Sequence, residues 1–82
     1  MSGPSVTVYT RENCHLCEEV IATVRRVSRS VHTDVALDIV DVDEDPGLRS
    51  EYGERVPYVF VDGRPTFKYR VDEAELRQRL TR

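Results

Sequence analysis

The stretch Val6-Thr7-Val8-Tyr9-Thr10-Arg11-Glu12-Asn13-Cys14-His15-Leu16-Cys17 changes its periodicity halfway along. Val6 to Tyr9 alternate β-branched and aromatic residues, the pattern of a strand with one or both faces buried. Beyond the polar Thr10 to Asn13, Leu16, Val20, Ile21, Val24 and Val27 recur at near-helical spacing. Glu18 and Glu19 fall early in that helix and Arg25, Arg26 and Arg29 late, the order that complements a helix dipole. A strand therefore feeds an amphipathic helix, and two cysteines three positions apart stand at the helix start.

Working outward, Val35, Leu37 and Ile39 alternate with Ala36, Asp38 and Val40 and run on into Asp41-Val42, a second strand. Asp45 can cap a short helix with Pro46 at its first position, continuing over Leu48 to Tyr52 and stopping near Gly53. Pro57 to Val61 reads as a third strand, Asp62-Gly63 as a hairpin turn, and Thr66 to Arg70 as the returning fourth strand. Asp72 then caps a last helix, Glu73 to Leu80, whose apolar marks are Ala74, Leu76 and Leu80. The order is βαβ, then α, then a β-hairpin and a closing α, an α/β fold. The first crossover makes strands one and two parallel, and the hairpin adds an antiparallel edge.

Eighty-two residues with no repeat, linker or low-complexity segment leave room for a single domain over 1–82, expected as a monomer. A bond between Cys14 and Cys17 would close too small a loop to stabilise the chain much, so stability must come from packing. Met1-Ser2-Gly3-Pro4-Ser5 has neither the basic start nor the apolar stretch of a secretory leader. No apolar run approaches the roughly 20 residues needed to span a bilayer. Twelve Lys and Arg against fifteen Asp and Glu, net -3, give no electrostatic footprint for nucleic acid or an anionic membrane. A closely spaced cysteine pair in such a chain points to a reducing compartment, the cytoplasm by default.

Cysteines at i and i+3 lie within bridging reach. Cys14, at the very start of the helix, meets unpaired backbone N–H groups and the positive end of the dipole, which favour a thiolate over a thiol of ordinary pKa about 8.5. It is the expected nucleophile. Cys17, one turn deeper, is placed to resolve a mixed disulfide formed on Cys14. Two other readings stand beside this one: half of a zinc site, with only His15 and His32 as imidazole ligands, or two core cysteines without chemistry.

From Val8 to Cys17, together with Val56-Pro57 before a strand, the chain resembles the glutaredoxin-like branch of the thioredoxin superfamily. The similarity covers nearly the whole chain. It is particularly close to short bacterial glutaredoxin-like proteins carrying Cys-His-Leu-Cys in place of Cys-Pro-Tyr-Cys. The resemblance implies a thioredoxin/glutaredoxin fold, a central four-stranded mixed sheet flanked by helices. It also implies a thiol-disulfide oxidoreductase of electron transport and cell redox homeostasis, with no tightly bound cofactor. Its implied partners are disulfide-containing protein substrates and, as electron donor, glutathione or a thioredoxin-reductase-type flavoenzyme.

Residue by residue, the resemblance makes Pro57 cis and sets it beside the active disulfide, with Val56 pairing by backbone with substrate. Arg11 stands where a lysine binds a glutathione carboxylate, and keeps the charge. Asp72 stands where an acid contacts glutathione, although a helix cap explains it equally. His15 replaces a proline or glycine, and either favours the Cys14 thiolate or is simply solvated. Arg55 replaces a threonine, and Tyr69-Arg70 stand where two glycines are usual, which reshapes the glutathione groove and leaves the reductant open. Two alternatives from other classes remain: an iron-sulfur or zinc binding module shared by two chains, and a redox-sensing adaptor without turnover.

Overall fold

Alternation along the first strand sends Val6 and Val8 to one face of a sheet, where both are fully buried. The computed structural model describes residues 3–81, so the reading of Met1-Ser2 as a leaderless start falls outside the described residues. In chain order the elements are β1 (Ser5–Thr10), α1 (His15–Ser30), β2 (Ala36–Asp41), a 3-10 turn over Val42–Glu44, α2 (Pro46–Tyr52), β3 (Tyr58–Val61), β4 (Arg64–Lys68) and α3 (Glu73–Leu80). The sheet order is β2-β1-β3-β4, with β1 parallel to β2 and the other pairs antiparallel. This is the mixed four-stranded α/β arrangement expected from the sequence.

The core lies on the sheet face that carries Val6, Val8, Val59 and Val61, under Val20, Val24 and Val27 of α1 and Leu76 and Leu80 of α3. Leu37 and Ile39 of β2 pack against its edge. At about 1.5–3 kcal/mol for each buried aliphatic side chain, this cluster supplies the main stabilising term. The opposite face carries Tyr9, Tyr58 and Phe60, and α2 lays Tyr52 on them, stacked on Tyr9 with ring centroids 4.6 Å apart. Burial and then the neighbouring Glu51 carboxylate push the Tyr52 hydroxyl above the ordinary tyrosine value.

Four local readings are corrected by tertiary context. Val42 is not the end of a strand: the Asp41 side chain accepts the Asp43 N–H at 2.9 Å, turning the chain so that Val42 drops into the interior. The fourth strand begins at Arg64 and ends at Lys68, two residues earlier than the hydrophobic pattern suggested. Asp62 and Gly63 both have positive φ, 52° and 80°, the backbone of a two-residue turn that returns at once to pairing, with Val61 opposite Arg64. Pro65 is tolerated on this edge strand, next to a register shift opposite Val59 and Phe60. Leu16 is exposed at 43 %, because Cys17 takes the inward position in the first turn of α1, and Ala74 is exposed on α3.

The cap readings match the geometry. Asp45 accepts the N–H groups of Gly47 and Leu48 with Pro46 next in line, and Asp72 accepts that of Glu75 at 3.0 Å. Among the described residues no helix is long and apolar enough to cross a membrane.

Candidate active site

The loop from β1 to α1 positions the cysteines. Asn13 adopts φ 58°, a left-handed conformation that asparagine tolerates better than most side chains, and Cys14 follows in an extended conformation. Cys14 is thereby the N-cap of α1. Its Sγ accepts the backbone N–H of Cys17 at 3.1 Å, and its carbonyl accepts that of Glu18 at 3.1 Å. A sulfur at this place faces the unpaired amides and the positive end of a 16-residue helix.

Cys14 and Cys17 are joined as a disulfide, their Cα atoms 5.2 Å apart. The two differ in access: Cys14 is half-buried, whereas Cys17 is 1 % exposed at the edge of the core. An incoming thiolate or disulfide can reach Cys14, while Cys17 is screened behind it. His15 is exposed on the first turn. Among the described residues no three His, Cys, Asp or Glu side chains gather as a metal-binding group.

Arg11 has an internal role that the sequence did not suggest. Its Nε and Nη2 donate to the two carboxylate oxygens of Asp43 at 3.1 and 3.0 Å, and Nη1 donates to the Gly53 carbonyl at 2.9 Å. The hydrogen bond to Asp43 and then its charge raise the guanidinium above its ordinary value, so it stays charged. The fork ties the cysteine loop to the 3-10 turn and to the end of α2. Gly53 suits that end because a Cβ there would lie 2.5 Å from the Arg49 carbonyl.

The Val56-Pro57 peptide is cis, and Pro57 is buried immediately before β3. The Pro57 carbonyl accepts the Tyr69 N–H at 2.7 Å. Val56 makes no backbone hydrogen bond of its own among the described residues. Asp72 sits at the α3 N-terminus as its cap, with the carboxylate otherwise exposed.

Tyr69, read from the sequence as part of the fourth strand, lies just beyond it. It has φ 71°, a conformation costly for a bulky side chain, and its hydroxyl donates to the Glu54 carbonyl at 3.1 Å. The one signal available in the sequence was a tyrosine where the resemblance expects glycine.

A family model described as "Glutaredoxin-like domain (DUF836)" matches residues 5–81. An uncharacterized protein of Mycobacterium tuberculosis is 38 % identical over 85 residues, covering 100 % of this chain and 88 % of its own length. A solution structure of a protein from Nitrosomonas europaea is similar with TM-score 0.77 and 29 % identity, over 99 % of this chain and 95 % of that one. An X-ray structure of a structural-genomics target from X. campestris gives 0.70 and 31 %, over 89 % and 91 %. A mutant thioredoxin from Halobacterium salinarum gives 0.68 and 26 %, over 96 % and 73 %. With its cysteine pair at the head of α1 and this fold around it, the chain belongs to the glutaredoxin-like (DUF836) family of the thioredoxin superfamily.

Proposed function

We propose that this protein is a dithiol thiol-disulfide oxidoreductase acting on protein or mixed disulfides in a reducing compartment. The observation that carries the reading is the asymmetry of the pair: Cys14 caps α1 and is reachable, Cys17 is buried directly behind it. In the reduced protein the Cys14 thiolate, held by the helix N-terminus and the Cys17 N–H, attacks a substrate sulfur. The substrate S–S bond breaks, a Cys14–substrate disulfide forms, and the departing thiolate takes a proton from solvent. The Cys17 thiolate then attacks Cys14 Sγ, the second substrate thiol leaves, and the protein is left oxidised by two electrons. The free Val56 N–H and C=O suit a strand-like pairing with an extended substrate, which would hold its sulfur in line with Cys14. A thiol donor, glutathione or a thioredoxin-reductase-type flavoenzyme, returns the pair to the dithiol.

The test is turnover of insulin disulfides, with NADPH feeding either glutathione and glutathione reductase or thioredoxin reductase. Cys14→Ser should abolish turnover, and Cys17→Ser should accumulate a covalent protein–substrate disulfide visible by mass spectrometry. Full activity in Cys14→Ser would overturn the reading.

A further inference from the structure

The loop that delivers Cys14 has little of its own to hold it. Glu12 and Asn13 are exposed and make no hydrogen bond among the described residues, and Asn13 sits at φ 58°. Arg11 is where this loop is fastened. Its Nε and Nη2 donate to the two Asp43 carboxylate oxygens, and its Nη1 donates to the Gly53 carbonyl.

Both anchors are themselves fixed. Asp43 follows the fully buried Val42, and its N–H donates to the Asp41 carboxylate at 2.9 Å. Gly53 is buried, and its N–H donates to the Arg49 carbonyl at 2.9 Å, closing α2. The chain then runs directly from Gly53 into the cis Val56-Pro57 peptide. One guanidinium therefore spans from the cysteine loop to the segment that leads into the other side of the site. The planar fork of an arginine makes this three-point tie, which the single ammonium of a lysine cannot reproduce. The Arg11 and Asp43 side chains are 37 % and 33 % exposed, so the pair adds little to overall stability and its effect falls on local geometry. Asp43 also offsets the charge that an incoming carboxylate would need.

We infer that Arg11 is a positioning residue of the disulfide exchange, setting Cys14 against the Val56-Pro57 loop through Asp43 and Gly53, rather than a ligand for a glutathione carboxylate. The inference rests on the reductase reading above and assigns a role within it. Cys14 Sγ accepts the Cys17 N–H at 3.1 Å, and a thiolate there depends on that donor. A loop released from its tie weakens that contact and the line of attack together.

The experiment uses pre-reduced protein in single turnover with glutathione disulfide and, as a probe without carboxylates, hydroxyethyl disulfide. Arg11→Lys keeps the charge and loses the fork, whereas Asp43→Ala keeps the arginine and removes its anchor. Each should slow both probes alike, by about tenfold, short of the roughly 10²-fold that a misplacement of about 1 Å can cost. The double variant should be no slower than the slower single one, since both break the same tie. The pH dependence of Cys14 alkylation by iodoacetamide should move upward in both single variants, toward the ordinary thiol value of about 8.5. In Asp43→Ala the direction discriminates, because loss of a nearby negative charge acting directly would favour the thiolate and move the profile downward. Unchanged rates in Arg11→Lys, a loss confined to glutathione disulfide, or a downward shift in Asp43→Ala overturns the inference. Each variant should stay folded, with Tm lowered by no more than about 4–8 °C, the most that a surface pair is worth in a domain of this size. Unfolding of both single variants overturns the inference by giving the pair a structural role. A wild-type protein that reduces neither probe overturns the reductase reading itself, so the two failures are distinguishable.

Discussion

Replacing Asp72 by alanine separates two roles that coincide at one carboxylate. The Asp72 side chain accepts the Glu75 N–H at 3.0 Å and so caps α3, an eight-residue helix too short to persist without capping and packing. That helix delivers Leu76 and Leu80, both fully buried, to the core, so loosening its start is felt by the whole fold. Loss of an N-cap costs about 1 kcal/mol. Against the roughly 4–12 kcal/mol expected of a chain this long, that is a substantial share. For a domain of this size it lowers Tm by about 4–8 °C. In urea it moves the midpoint down by about 0.3–1 M without changing the slope. Circular dichroism on the oxidised form reads both quantities. Asp72→Asn keeps an oxygen for capping and should retain most of the stability, losing only the part owed to charge at the helix start. Glutathione-coupled turnover of the stable Asn variant then reports on the carboxylate alone: a loss assigns Asp72 a contact with the tripeptide, and full activity assigns it the cap only. An unchanged Tm in Asp72→Ala, or equal destabilisation by Ala and Asn, would refute the capping argument.

Two further outcomes follow from the core and from the aromatic face. Leu76→Ala leaves a cavity at a fully buried position and should cost about 2–5 kcal/mol, read as a urea midpoint far below that of the wild type. A tyrosine whose folded pKa is raised, as burial raises that of Tyr52, stabilises the fold fully below its unfolded value near about pH 10. That contribution is lost as pH climbs through the folded value. Phenolate absorbance should therefore show a late-ionising component, and Tyr52→Phe should remove it.

Much of the scaffold was legible because its signals are local. Three-residue cysteine spacing at a change from strand to helix periodicity put the pair at a helix start, and Asp45, Asp72 and Asp62-Gly63 each carried a cap or turn within a few residues of the backbone they satisfy. The site was legible only in part. Arg11 could be read as a free cation, yet it is engaged by Asp43, 32 residues away, and by Gly53, 42 residues away. No periodicity encodes that pairing, which exists only because the parallel β1–β2 register brings the two loops to the same end of the sheet.

What the sequence determined by itself is the chemistry on offer: two thiols one helical turn apart, an amphipathic helix to carry them, and strands with a buried and an open face. Tertiary structure decided how that chemistry is presented. Cys17 points inward and Leu16 outward although both sit in the apolar pattern of α1, because only one direction in the first turn meets the core. Tyr69 follows β4 in a left-handed turn because the Pro57 and Glu54 carbonyls fix it there, and these bonds span 12 and 15 residues. Local patterns specify backbone periodicity, whereas the walls of a site are set by which distant segments the sheet brings side by side.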